Sequence, residues 1–229
     1  MSPTTVLGAK SKARDVRSGY RYLFVGLLAL LTLYPTLTLL GGWVVDLLVL
    51  LVLVSGVFAV SSSQIQLIIA STLAIATVVL GFWAEHDPQN TIVVLSLISG
   101  LGFFGFLALV ILQDVFKRRQ RVTAEVIYAA LAVYLLMGLA FAFGYGLIDI
   151  LQPDAFTSRG LIAGNSTEVF EGFVYFSFVT LTTLGFGDIT PNTLQAGAFV
   201  YLQAMAGQVY LAVLVARLVS LQIAHAGGE

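Results

Sequence analysis

One short segment of this chain combines residue types that suit the binding of a cation stripped of its water. It contains two threonines, an aliphatic residue, and two glycines on either side of an aromatic residue, followed by an acid. In order they are Thr182, Thr183, Leu184, Gly185, Phe186, Gly187 and Asp188. Glycine enters left-handed backbone conformations at little steric cost, so Gly185 and Gly187 allow successive carbonyls to point to one side. Copies of such a segment around an axis present rings of carbonyl oxygens, which can replace the water shell of an ion.

Residues 180–188 resemble the selectivity filter of potassium channels, whose core is Thr-Val-Gly-Tyr-Gly. The core of this chain reads Thr-Leu-Gly-Phe-Gly at residues 183–187, named here the filter segment. The resemblance implies that these residues line a filter and that potassium binds to oxygens along it. The potassium-binding residues implied are Thr183, Leu184, Gly185 and Phe186.

The residues before the filter segment fit the same resemblance. Residues 168–182 predict a short helix, and its C-terminal end would aim partial negative charge at the ion path. The resemblance implies that Thr182 faces an inner cavity, and the Thr183 hydroxyl can add an oxygen at the inner mouth. A glycine-rich loop in an unrelated membrane protein is the alternative interpretation.

The filter segment and its surroundings depart from the family pattern at three positions. Phe186 replaces the usual tyrosine and has no hydroxyl to donate behind the filter. We therefore expect a filter that collapses more readily at low potassium, and Phe186→Tyr is the comparison that tests this. Leu184 replaces valine, which is a small change. Val179 stands where some members place a glutamate, so we predict that Tyr175 donates its hydroxyl to Asp188 instead.

The composition is that of an integral membrane protein. Of 229 residues, 59% are hydrophobic and 10% are charged, whereas soluble domains carry about 25% charged residues. There is no cysteine, which excludes disulfides and thiolate metal sites. His86 and His225 lie far apart and form no ligand pattern.

Six apolar stretches approach or exceed the roughly 20 residues that a membrane helix needs. They are residues 22–40, 43–60, 64–83, 91–112, 125–148 and 193–221. The predicted fold is an all-α membrane protein with six transmembrane helices, a re-entrant pore helix and the filter loop. Because an isolated filter segment would leave its carbonyls unsatisfied at membrane depth, we expect a homotetramer with fourfold symmetry.

The basic residues predict how the chain is oriented. Ten of the eleven Lys and Arg residues fall on one side of the six-span arrangement, with Arg159 as the exception. Cytoplasmic loops are enriched in Lys and Arg, so both termini are expected in the cytoplasm. The ten are Lys10, Lys12, Arg14, Arg17, Arg21, Lys117, Arg118, Arg119, Arg121 and Arg217. The compact chain without cysteine favours the plasma membrane of a bacterium or archaeon.

The chain divides into five predicted regions. A basic N-terminal segment, a four-helix bundle, a basic cytoplasmic linker, a pore domain and a short tail follow one another. They cover residues 1–21, 22–112, 113–124, 125–221 and 222–229. The resemblance is to six-span, voltage-gated-like channels, but the predicted fourth span carries no arginine. Because several membrane charges are needed for steep voltage dependence, we expect little of it here.

The last span contains candidates for a gate. The family resemblance makes Gly207, nineteen residues after Asp188, a candidate hinge, with close helix packing as the alternative. A stripe at helical spacing is expected to line the cavity or narrow its inner mouth, with core packing as the alternative. It consists of Gln208, Leu211, Val215 and Val219.

Two further groups of side chains are candidates for lipid contact and for helix packing. The linker residues Lys117, Arg118, Arg119 and Arg121 are candidates for contact with anionic lipid headgroups, or they only enforce topology. In the fourth span, close helix contacts are expected at Ser96, Ser99, Gly100, Gly102 and Gly105.

The sequence therefore favours a potassium-selective channel that assembles with itself in lipid and conducts passively. A weakly selective cation channel and a non-conducting membrane subunit are the alternatives. No acid–base pair, activated nucleophile, phosphate loop or cofactor motif indicates an enzyme, and no nucleic-acid partner is expected. Potassium ions are the only ligands predicted.

Overall fold

The computed structural model describes residues 19–34, 36, 42–60, 63–86, 89–117, 123–158 and 166–226. Within these residues, helices and two short strands follow one another along the chain. They are α1 (Gly19–Tyr34), α2 (Gly42–Ala59), α3 (Gln64–His86), α4 (Asn90–Lys117), α5 (Ala124–Leu151), β1 (Phe156–Ser158), α6 (Ser166–Leu181), β2 (Ile189–Pro191) and α7 (Leu194–Ala226). We call α1 to α4 the N-terminal bundle, and α5 to α7 with the two strands the C-terminal unit.

Four of the six predicted spans are helices long and apolar enough to cross a membrane. These stretches are Gln64–Ala84, Asn90–Phe116, Ala124–Leu151 and Leu194–Ser220. The apolar stretches of α1 and α2, Gly19–Tyr34 and Leu47–Ala59, are shorter. The predicted first span continues to residue 40, but residues 37–40 lie outside the described part of the chain.

Helix α4 extends beyond the predicted end of the fourth span. The apolar run ends at residue 112, but α4 continues to Lys117 because Val115 on its last turn is 3% exposed and packs into the core. The predicted lipid-contact side chains lie outside the described ones. They are Lys117, Arg118, Arg119 and Arg121.

The polar loop predicted over residues 149–167 is partly ordered as secondary structure. α5 runs on to Leu151, and β1 pairs antiparallel with β2, which follows the filter segment. Phe156 lies opposite Pro191 in this ribbon, and Ser158 lies opposite Ile189. Strands of three residues have no detectable alternation, so the all-α prediction missed this ribbon. It connects the C-terminal end of α5 to the chain just beyond the filter segment.

Aromatic side chains form the core of the half of the C-terminal unit that lies next to β1 and β2. The Tyr145 ring of α5 lies at the centre, fully buried. Its centroid is 4.9 Å from that of Phe176 on α6, 5.3 Å from that of Phe199 on α7 and 5.6 Å from that of Phe156 on β1. The Tyr145 ring therefore packs against α6, α7 and β1. These contacts hold the three elements in fixed positions relative to α5.

Helix contacts in the fourth predicted span are only partly as expected. A Cβ added to Gly100 would overlap the Phe143 ring of α5, so this glycine does permit a close approach. Gly102 has only ordinary contact, with Leu73 at 3.5 Å, and no atom lies within 4 Å of a Cβ built at Gly105. The hydroxyls of Ser96 and Ser99 bond to carbonyls of α4 itself.

Candidate functional site

Helix α6 ends in a hydrogen-bonding pattern that directs the chain into the filter segment. The Leu184 N–H donates to the Val179 carbonyl at 2.9 Å, and the Thr183 N–H donates to the Thr180 carbonyl at 3.0 Å. These two bonds are those of a Schellman motif, which requires a left-handed residue just after the helix. That residue is Thr183, with φ of 60°. The helix predicted over residues 168–182 is confirmed, and its C-terminal cap is the start of the filter segment.

The backbone of the filter segment has a positive φ at every second residue. Thr183, Gly185 and Gly187 have φ of 60°, 60° and 75°, and Leu184 and Phe186 between them are not in the positive region. In an ordinary strand successive carbonyls point in opposite directions, whereas an alternation of this kind allows them to point to the same side. The two glycines adopt such values freely. For the β-branched Thr183 the conformation is strained by about 1–3 kcal/mol, and the two hydrogen bonds that cap α6 hold it there.

The last carbonyls of α6 accept hydrogen bonds. The Phe178 carbonyl accepts hydrogen bonds from the Thr182 N–H at 3.0 Å and from its hydroxyl at 2.6 Å. The Leu181 carbonyl accepts one from the Tyr134 hydroxyl of α5 at 3.0 Å. Because helix ends otherwise leave four carbonyls unsatisfied, these bonds fix the helix end against α5.

The C-terminal end of the filter segment is fixed by Asp188. Its Oδ2 accepts a hydrogen bond from the Tyr175 hydroxyl at 2.5 Å, and its Oδ1 accepts one from the Ile189 N–H at 3.0 Å. The predicted Tyr175–Asp188 pairing is therefore present, while Val179 is buried behind the segment. The hydrogen bond to Asp188 raises the pKa of the Tyr175 phenol.

Helix α1 also contacts α6, the helix that precedes the filter segment. The Tyr34 hydroxyl donates to Glu171 Oε1 at 2.5 Å, across 137 residues of sequence. Glu171 lies one turn before Tyr175 on α6, since residues four apart share a helix face. The N-terminal bundle therefore contacts the same helix that leads into the filter segment.

Sequence reasoning missed a buried polar cluster behind α6. Gln203 of α7, Tyr145 of α5 and Ser177 of α6 are each 0% exposed and are hydrogen-bonded to one another. A signal was available, because Gln203 is an amide in the middle of an apolar span. Its partners could not be inferred, since the three residues are far apart in sequence.

The predicted gate residues lie on α7 in two different environments. Gly207 is buried, and a Cβ there would lie 2.8 Å from Leu181 Cδ1 and 3.0 Å from the Leu181 carbonyl oxygen. α7 is continuous through this residue, so the contact is one of close packing and the hinge remains a prediction. The cavity candidates share an exposed stripe. They are Gln208, Leu211, Val215 and Val219.

The part of the chain that forms α5 to α7 and the filter segment matches the model of a protein family. Residues 122–223 match a family described as "Ion channel". The match covers the C-terminal unit and less than half of the 229 residues. No curated protein matches the chain, and no solved structure matches it. Taken with the four membrane-length apolar helices, the match supports an ion channel family for this membrane protein.

Proposed function

We propose that this chain forms a homotetrameric channel that conducts potassium selectively and passively. One observation carries the proposal, namely the alternation of φ at Thr183, Gly185 and Gly187 directly after the capped end of α6. A backbone of this kind turns its carbonyls to one side, where rings of them can replace the hydration shell of potassium. The family match at residues 122–223 is consistent with ion conduction.

Exposure of the filter segment supports assembly into a ring. In the single chain the Leu184 and Phe186 side chains are 61% and 65% exposed, and no atom lies within 4 Å of a Cβ built at Gly185. Polar backbone at membrane depth must be covered by protein or line a water-filled path. Neighbouring copies of the chain supply that cover, and one filter segment per chain calls for four chains.

We further propose that the channel responds only weakly to voltage. The helix α4 carries no arginine between Asn90 and Phe116. Moving one charge through 100 mV supplies only about 2.3 kcal/mol, so a sensor requires several charges.

The test is the reversal potential of the purified protein in a planar bilayer with potassium on one side and sodium on the other. We expect reversal near the potassium equilibrium potential and its loss in Gly185→Ala. Gly197→Ala on α7 is the matched control. Both glycines have room for a Cβ, but only Gly185 has a positive φ.

The other outcomes identify the alternatives. Reversal near zero would favour a weakly selective cation channel, for which the missing hydroxyl at Phe186 is the specific reason. An absence of current in every lipid and at every voltage would favour the non-conducting subunit. Equal behaviour of the two glycine variants would show that the filter segment does not determine selectivity.

A further inference from the structure

The polar cluster behind α6 is fully buried within the C-terminal unit. Gln203, Tyr145 and Ser177 come from three different helices and are all 0% exposed. Two of those helices, α5 and α7, have the length and composition of membrane spans. No water replaces a lost hydrogen bond at such a position, so each of these groups depends on its protein partners.

Every hydrogen-bonding group of the Gln203 amide is used. Its Oε1 accepts from the Tyr145 hydroxyl at 2.5 Å, and its Nε2 donates to Ser177 Oγ at 2.7 Å and to the Ser177 carbonyl at 3.1 Å. Ser177 Oγ in turn donates to the Gly138 carbonyl of α5 at 2.6 Å. A fully satisfied network of this kind favours one arrangement of its helices.

Helix α7 contacts α6 at two points, which are separated by four residues on each helix. Gln203 bonds to Ser177, and four residues later Gly207 packs on Leu181, which is four residues after Ser177. Four residues are about 6 Å of helix. Sliding or rotating α7 would break the hydrogen bonds between Gln203 and Ser177 and would separate Gly207 from Leu181. Leu181 is the last residue of α6, so both contacts determine where the filter segment starts.

We infer that Gln203 is a positioning residue that sets the ion selectivity of the filter segment by holding α6 against α7. This inference rests on the proposed channel function. Because carbonyl rings discriminate between ions by their number, spacing and field, a displaced α6 changes the discrimination even when the filter segment itself is unaltered. Movement of α7 is then confined to the part beyond Gly207.

The experiment compares potassium-to-sodium permeability ratios of tetramers purified by size. Gln203→Leu removes all three amide bonds, and we expect it to lower the ratio by about fivefold or more. Tyr145→Phe removes one hydroxyl and keeps the ring, so we expect a smaller fall. Gln195→Leu makes the same chemical change on the exposed first turn of α7, and it should leave the ratio unchanged.

Coupling between the variants separates positioning from general damage. In one network the double variant Tyr145→Phe/Gln203→Leu should be no worse than Gln203→Leu alone, whereas independent effects would add. If Gln203→Leu fails to assemble, Tyr145→Phe and Ser177→Ala decide the matter.

Assembled variants with the wild-type ratio would overturn the inference while leaving the proposed function intact. An equal fall in Gln195→Leu would also overturn it. A wild-type protein without selectivity would instead refute the proposed function, and the role of Gln203 would fall with it.

Discussion

In the C-terminal unit, polar side chains join one helix to another, whereas in the N-terminal bundle several hydroxyls bond only within their own helix. In the C-terminal unit, the hydroxyls of Tyr134, Tyr145 and Tyr210 donate to groups on other helices. In the bundle, five hydroxyls bond to carbonyls three or four residues earlier. They belong to Thr32, Ser55, Thr77, Ser96 and Ser99. Cross-helix bonds fix rotation and register, whereas apolar packing alone allows helices to adjust.

Burial differs in the same direction. In the apolar stretch of α5, 44% of residues are buried, against 6% in α3. An apolar groove of about 400 Å³ separates α2 from α3, with Leu53, Val57 and Ala74 among its walls. In the apolar stretch of α4, by contrast, 39% of residues are buried, so the low burial in the bundle belongs to α3 and not to α4.

The largest expected effect comes from adding the same methyl group to a glycine of each region. Gly207→Ala places a Cβ 3.0 Å from the Leu181 carbonyl oxygen, and overpacking of this kind destabilises by about 1–3 kcal/mol. Gly105→Ala has free space and gains about 1 kcal/mol of helix propensity. Thermal unfolding of the detergent-solubilised assembly should therefore shift down for the first variant and up for the second.

This pair of variants also tests the hinge. If Gly207 served only as a hinge, alanine would leave the assembly stable and alter gating alone. A stable Gly207→Ala assembly would thus contradict the packing role seen in the structure and weaken the contrast between the two regions.

Much of the C-terminal unit was predictable because its signals are local. Hydropathy located both ends of α5 and the start of α7 to within a few residues, whereas α7 continues to Ala226, beyond the predicted end at residue 221. The bond between Tyr175 and Asp188 was predictable from the family resemblance, because Val179 stands where some members place a glutamate.

The features that the sequence did not reveal depend on tertiary contacts. The Gln203 cluster joins residues 26 and 58 positions apart, and no local pattern specifies such partners. The ribbon of β1 and β2 was missed for the same reason. The positive φ of Thr183 contradicts its own backbone preference, so it is understood only as the cap of α6.

A smaller effect is expected from removing one hydroxyl at the rim of each region. Tyr175→Phe removes the bond to Asp188, whereas Tyr20→Phe removes the bond from α1 to Asp114 of α4, which is 2.7 Å long. We expect currents of the first variant to decay faster at low external potassium, because the outer end of the filter segment loses a restraint. Tyr20→Phe serves as the control and should decay like the wild type. Equal decay rates in all three proteins would show that the bond between Tyr175 and Asp188 does not stabilise the filter segment.

The smallest expected effect lies where the two regions meet at the inner end. Arg217 of α7 donates to the Phe116 carbonyl of α4 at 2.8 Å, and its guanidinium carbon lies 4.6 Å from the centre of the Phe116 ring. A cation–π contact at an exposed site contributes about 0.5–1 kcal/mol, which corresponds to about a two- to fivefold change in local opening. Arg217→Gln should therefore raise amide hydrogen exchange by that factor in the last turns of α7. Exchange near Gln203 should stay the same.

Phe116→Leu isolates one part of this contact, because it removes the ring and keeps the carbonyl that accepts from Arg217. Its effect on exchange should be smaller than that of Arg217→Gln, and the double variant should resemble Arg217→Gln alone. Faster exchange that spreads to Gln203 would mean that the inner contact also holds the outer half of α7. The rigid part of the molecule would then extend to α4, and the two regions would behave as one.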